Sequence, residues 1–271
     1  MYDARPIGIF DSGVGGLTVL DALVRRFPNE SFIYLGDTAR VPYGTKSART
    51  VERYVIQVAD CLLHRGVKGL VVACNTASAL GLSALHAHCQ TPVLGVIEPG
   101  CRAAATLITK RADSGRVGVI GTRSTVASGA YPYHLALLNP RIHVVSLACP
   151  LFVPLAEEGW VDHPAVRMIV EETLAPLMDQ RLDALILGCT HYPVLKSVIA
   201  EVMGPEIALV DSSSAMAEEL GRYLGGVIVP APPDQEQQLE FLVTDVADRF
   251  KEMAARFIEG VAGEWVKMVD L

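Results

Sequence analysis

Two cysteines carry the chemistry this sequence offers most clearly. Cys74 closes the run GLVVA and is followed by Asn75 and Thr76, whereas Cys189, 115 positions later, closes ALILG and is followed by Thr190 and His191. Two thiols facing one pocket from opposite sides could invert a tetrahedral carbon: one removes a proton from one face and the other returns a proton to the opposite face. One must then begin as thiolate and the other as thiol. An unperturbed thiol titrates near ~8.5, and a helix N-terminus favours its thiolate. A helix opening at Asn75 and Thr76 is therefore expected to favour the ionised form of Cys74. Asp11, if it lies beside Cys74, and His191, two residues past Cys189, are the candidates to assist proton transfer.

A lone cysteine at a strand end is ordinarily a small core residue. What argues for chemistry is that the two occupy equivalent places in an internal repeat. IGIF before Asp11 and Ser12 matches VGVIG before Thr122 at an offset of 111, and VLGVI before Glu98 matches IALV before Asp211 at an offset of 113. Cys61, Cys89, Cys101 and Cys149 lack repeat partners and read as structural free thiols. Cys189-x-His191 and His86-x-His88 have no further ligands near them in sequence, so no metal site is expected. Taken singly, Asp11 could be a helix N-cap and His191 a satisfied histidine at a helix start.

The glycines of DSGVGG are not spaced as G-x-G-x-x-G and no Walker lysine follows, so a nucleotide site is not expected. Their expected role is a tight strand-to-helix turn whose backbone N–H groups can hold a carboxylate. Ser12, Thr76, Thr122 and Thr190 are the candidate hydroxyls.

Short β-rich runs alternate with helical stretches, the pattern of parallel βαβ units, and the class is α/β. Expected strands are Ile7–Phe10, Ser31–Leu35, Gly69–Ala73, Val93–Ile97, Val117–Ile120, Ile142–Leu147, Ala184–Leu187 and Ile207–Val210, with a helix over Ala48–Arg65 among those between. The repeat implies two pseudosymmetric α/β domains with mainly parallel sheets and the active site in the cleft between them. The chain crosses near Glu98 and returns near Asp211, giving a discontinuous first domain of 1–97 plus 211–271 and a second of 98–210. The tail is read as a helix (Ser214–Leu224), a Pro-rich link, a strand (Leu239–Val243) and a last amphipathic helix, completing the first domain. In such sheets the binding crevice lies beyond the carboxyl ends of the strands, where each repeat places its polar residues.

With 51% hydrophobic and 20% charged residues, the chain has a well-cored globular composition rather than a disordered or membrane one. Its formal charge of −7 comes with scattered Lys and Arg, which argues against nucleic acid as a primary partner. An anionic substrate must then be captured by local donors rather than by bulk attraction. No apolar leader precedes the first strand and no C-x-x-C or dense cysteine framework is present, so a cytoplasmic protein is expected.

GIFDSGVGGL, GDTARVPYG, ACNTASA, CPLFVPLAEEG and GCTHYP, in this order and over most of the chain, resemble the characteristic segments of bacterial glutamate racemases. The resemblance implies cofactor-independent, two-cysteine racemisation of glutamate that supplies D-glutamate for peptidoglycan, with the substrate buried between two pseudosymmetric domains. It implies Cys74 as the base toward D-glutamate and Cys189 toward L-glutamate, with Asp11, Glu157 and His191 as auxiliary acid–base or orienting groups. Implied substrate contacts are Asp11, Ser12, Tyr43, Gly44, Asn75, Thr76, Thr122, Thr190 and His191. Glu157 rather than Glu158 follows from the register of PLAEEG. A homodimer is expected, and activation by a cell-wall precursor is not, since few residues precede the first strand. An alternative is an aspartate or other amino-acid racemase of the same superfamily. Aspartate racemases typically carry an acidic residue after the second Cys-Thr, where this chain has His191. Another is a non-catalytic regulatory binding protein on the same scaffold, against which both cysteines being intact argues.

Overall fold

The computed structural model describes residues 1–111, 114–258 and 266–271. Its strands are β1 (Ile7–Asp11), β2 (Phe32–Gly36), β3 (Gly69–Val72), β4 (Val93–Gly95), β5 (Gly115–Gly121), β6 (Ile142–Ala148), β7 (Ala184–Gly188), β8 (Ala208–Asp211), β9 (Leu239–Val243) and β10 (Val266–Met268). Its helices are α1 (Leu17–Arg26), α2 (Ala48–Leu63), α3 (Asn75–His88), α4 (Ile97–Arg111), α5 (Arg123–Ala127), α6 (Ala130–Leu138), α7 (Phe152–Glu157), α8 (Pro164–Met178), α9 (Lys196–Met203), α10 (Ser212–Tyr223) and α11 (Ala247–Ala254).

The strands form two wholly parallel sheets, one ordered β10-β9-β2-β1-β3-β4 and the other β6-β5-β7-β8. The order of β2-β1-β3-β4 recurs in β6-β5-β7-β8, as the sequence repeat requires. Because strand side chains alternate, each sheet divides its apolar residues between two faces. Ile9, Tyr34 and Val71 enter one core while Phe10, Leu35 and Val72 enter the core on the opposite face. In the second sheet Val119 and Ile186 face one core, and Ile120 and Leu187 the other. Each fully buried aliphatic of this kind contributes about 1.5–3 kcal/mol, which is why these runs read as near-continuous apolar stretches.

This order puts a topological switch between β1 and β3, and again between β5 and β7, where successive crossovers depart in opposite directions and leave a crevice at the strand ends. Asp11, Ser12 and Cys74 stand at the first switch point, and Thr122 and Cys189 at the second.

Several boundaries differ from expectation. The fourth strand ends at Gly95 rather than Ile97: the Ser78 hydroxyl accepts the Val96 N–H at 3.2 Å, and Ile97 already begins α4. Pro99 sits in that first turn, where a missing N–H costs no helical hydrogen bond. β5 starts at Gly115, two residues early, and α10 starts at Ser212, capped by Asp211, whose Oδ1 accepts the Ser214 N–H at 2.9 Å. The chain crosses to the second sheet through α4, and α10 brings it back, adding Met216 and Leu220 to the core beneath β1 and β2. β9 pairs with β2 as the tail reading implies, but β10 on its outer edge was not anticipated: VKM is three residues long, too short to show a period. No helix among the described residues is long and apolar enough to cross a membrane.

Candidate active site

The two switch points face one small cavity. It is lined by Ser12, Tyr43, Gly44, Cys74, Asn75, Thr76, Thr122, Cys189, Thr190 and His191, together with Val41, Pro42 and Val153. All ten of the first group are sequence candidates. Cys74 and Cys189 are each 6% exposed, and both border the same space.

The halves meet tightly around this cavity. A Cβ at Gly15 would fall 2.5 Å from His191 Nδ1 and also collide with Thr190 Oγ1; one at Gly44 would fall 2.7 Å from Thr122 Cβ. These two approaches require glycine. Thr18 Oγ1 donates to the Thr190 carbonyl at 3.2 Å, and Ser124 Oγ donates to the Gly44 carbonyl at 2.8 Å. Behind the Val41–Gly44 loop, buried Asp37 accepts from the Tyr43 hydroxyl and, at 2.7 Å, from Arg40 Nε, which fixes Tyr43 against the cavity.

Cys74 is the N-cap of α3, its sulfur accepting the Ala77 N–H at 3.5 Å, with Ser12 Oγ at 3.6 Å. The helix begins where the sequence predicts, but its effect on the thiol is overruled. Burial first, and then the field of Asp11, push the Cys74 thiol up to about 12 despite the Ala77 and Ser12 contacts that favour thiolate. Both causes favour the protonated form of Cys74.

Cys189 has a different neighbourhood. His191 Nδ1 lies 3.8 Å from its sulfur, and His191 Nε2 lies 3.1 Å from Glu157 Oε1 on α7. Burial opposes a charged imidazole, yet the bonds to Cys189 and Glu157 and the fields of Cys189 and Asp11 outweigh it and raise His191 to about 10. These partners favour the imidazolium form of His191, which stands close enough to exchange a proton with the sulfur beside it.

Asp11 and Glu157 do not line the cavity. Asp11 is fully buried, Oδ2 accepting the Gly13 N–H at 2.9 Å and Oδ1 the Thr190 hydroxyl at 3.3 Å. The carboxylate held by the DSGVGG turn is thus the protein's own, which corrects the expectation that this amide is free for a ligand. Burial raises the Asp11 carboxyl, opposed by the His191 charge and by backbone donors of Gly13 and Gly16. Nor is Asp11 the N-cap of α1, whose Gly16 cap has no side-chain bond. Glu157 meets the site through its contact with His191 Nε2, while Glu158 is exposed, so this contact falls on the residue that the PLAEEG register gives.

Four polar groups, three hydroxyls and one amide oxygen, lie at or just behind the cavity wall. Thr76, Thr122 and Thr125 hydroxyls form a ring of contacts at 2.9–3.0 Å. Asn75 spends its Nδ2 on Tyr131 and Ser212, at 2.8 and 2.9 Å, and leaves buried Oδ1 without a protein partner. Val41, Pro42 and Val153, missed in the sequence reading, supply apolar wall; nothing in their types separates them from loop or core residues. All six cysteines are free, and no group of three or more His, Cys, Asp or Glu among the described residues could hold a metal ion.

The chain is 50% identical to glutamate racemase of Geobacter metallireducens, covering 96% of this chain and 95% of that protein. Among solved structures, glutamate racemase of Thermus thermophilus in complex with β-chloro-D-alanine matches with a TM-score of 0.88 at 45% identity, covering 99% of this chain and 98% of that one. Glutamate racemase of Francisella tularensis in complex with D-glutamate matches with a TM-score of 0.89 at 36% identity, covering 98% of each chain. Residues 7–220 match the family described as Asp/Glu/Hydantoin racemase. From the repeated sheets, the paired strand-end cysteines and this match across most of its length, the chain belongs to the Asp/Glu/Hydantoin racemase family.

Proposed function

We propose that the chain interconverts L- and D-glutamate without a cofactor, Cys74 and Cys189 serving as the two bases. The observation that carries this reading is that both thiols border one cavity, each at the end of the equivalent strand in its sheet. The substrate names of relatives from Geobacter, Thermus and Francisella support glutamate in particular.

In the direction from L-glutamate, the Cys189 thiolate takes the Cα proton and the C–H electron pair moves into the α-carboxylate, forming an enediolate. The Cys74 thiol then delivers its proton to the opposite face, and the returning electron pair makes the new C–H bond. The reverse direction exchanges the roles. His191 and Glu157 manage the proton at Cys189. The free Asn75 Oδ1 is a fitting acceptor for an ammonium group, and the Thr76, Thr122 and Ser12 hydroxyls are donors for carboxylates. Asp11 holds Thr190 in place and raises the Cys74 thiol, favouring it as the acid.

We read the enzyme as a cytoplasmic homodimer supplying D-glutamate for peptidoglycan, with domains at 1–97 plus 211–271 and at 98–210. Purified protein given neither pyridoxal phosphate nor metal should erase the optical activity of either glutamate enantiomer, and turn over aspartate far more slowly. Inactivity relieved only by pyridoxal phosphate would reject the mechanism, and preference for aspartate would reject the substrate.

A further inference from the structure

The C-terminal segment after β9 has no counterpart in the second half of the repeat, and it reaches across to the Cys189 side of the cavity. Phe257, just past α11, sets its ring edge-on against the His191 ring, centroids 5.5 Å apart and planes at 82°. Arg256 donates from Nη1 to the carbonyl of Glu157, the residue whose carboxylate holds His191 Nε2. The same guanidinium covers the turn that ends α7: a Cβ at Gly159, where φ is +71°, would lie 3.1 Å from Arg256 Nε. Ala156 of α7 is buried in one core with Phe250, Ala254 and Phe257. Two adjacent tail residues therefore grip the two members of the relay, one by its ring and one by its backbone.

We propose that Arg256 and Phe257 are positioning residues for the Cys189 proton relay, so that the C-terminal tail sets the proton-transfer steps at Cys189 and leaves those at Cys74 untouched. This rests on the two-base reading above. Among the described residues, no hydrogen bond or ring contact joins Arg256 or Phe257 to Cys74 or to its neighbours Ser12, Ala77 and Asp11. A ring held edge-on cannot swing, and a fixed α7 end keeps the Glu157 carboxylate at bonding distance; both restrict His191 to the orientation that points Nδ1 at Cys189. Displacements of about 1 Å in such a group cost up to ~10²-fold in rate.

The two enantiomers have equal free energy in water, so kcat/KM must remain equal in the two directions for every variant. A change confined to one cysteine is instead read from isotope effects. In Arg256→Met and in Phe257→Leu, kcat/KM should fall about 10-fold in both directions. The primary isotope effect with Cα-deuterated L-glutamate should rise, because cleavage by Cys189 becomes more rate-limiting. With Cα-deuterated D-glutamate it should shrink, because delivery from Cys189 becomes the slow step, and the solvent isotope effect should grow in its place. Arg256→Lys, which keeps a donor for the Glu157 carbonyl, should restore the isotope effects toward those of the parent. Equal changes for both enantiomers, no change, or failure of Arg256→Lys to recover more than Arg256→Met would overturn the proposal. Parallel assays of Cys189→Ala separate the two readings. If that variant remains active the two-base reading itself fails, and if it is dead while the Arg256 and Phe257 variants keep parental isotope effects only the tail's role fails.

Discussion

Cys74 and Cys189 occupy equivalent places in a repeated fold, yet the structure surrounds them differently. Cys74 is a helix N-cap with a serine hydroxyl beside it, and burial, followed by the field of the Asp11 carboxylate, raises it to about 12. Cys189 faces an imidazole, which is itself bonded to a carboxylate on α7. The first environment favours a protonated thiol; the second sets an imidazole beside the sulfur, the partner that the proposed two-base reading needs there. Pseudosymmetry thus extends to the strand order and the positions of the sulfurs, and stops at the side chains that tune them. Such a division suits inversion, because at every moment one thiol must be acid and the other base.

The largest effects should ignore this asymmetry. Cys74→Ala and Cys189→Ala should each lower racemisation in both directions by ~10⁴-fold or more, since inversion needs a group on each face. Measured turnover from both enantiomers would break the equivalence if either variant retained a substantial rate. The next pair should reveal the difference between the sides. His191→Asn should cost ~10²-fold in kcat, whereas Ser12→Ala, which removes one neutral hydroxyl worth about 1 kcal/mol, should cost no more than ~10-fold. Equal losses would mean that the imidazole has no special role.

The two glycines offer a finer comparison. Gly15→Ala presses on His191 and should act mainly on kcat, while Gly44→Ala presses on Thr122 and should act mainly on KM, each by about 10-fold. Steady-state kinetics on both variants would sharpen or erase that split. The smallest effect concerns pH. The bond to Glu157 is one of the contributions that raise His191 to about 10, so Glu157→Gln should lower the His191 pKa. The imidazolium is then lost at lower pH, and the alkaline limb of the pH–rate profile should move down by a unit or less; movement upward would contradict the assigned contact.

Much of this was legible in the sequence because it lay in a repeat. Matching GLVVA-Cys74 to ALILG-Cys189 required only that two strands end alike, and the shared strand order follows from it. The cavity-lining hydroxyls were found for the same reason: polar residues at the ends of buried apolar runs stand out. Three things were hidden. The proton state of Cys74 depends on burial and on the through-space field of Asp11, which overrule the helix terminus that the sequence displays. The apolar wall of Val41, Pro42 and Val153 has no distinguishing residue type. The contact of Phe257 with His191 joins positions 66 residues apart through a tail with no repeat partner, so no periodicity could signal it.

The central claim is that a proton leaves one face of Cα and a different one arrives on the other. The most direct measurement is the isotope content of the mirror-image product formed in deuterated water and sampled early in the reaction. Two-base inversion predicts deuterium at Cα of essentially every newly formed product molecule, because the delivering thiol has exchanged with solvent. Product that keeps the substrate's own hydrogen would contradict it and point to a single base serving both faces.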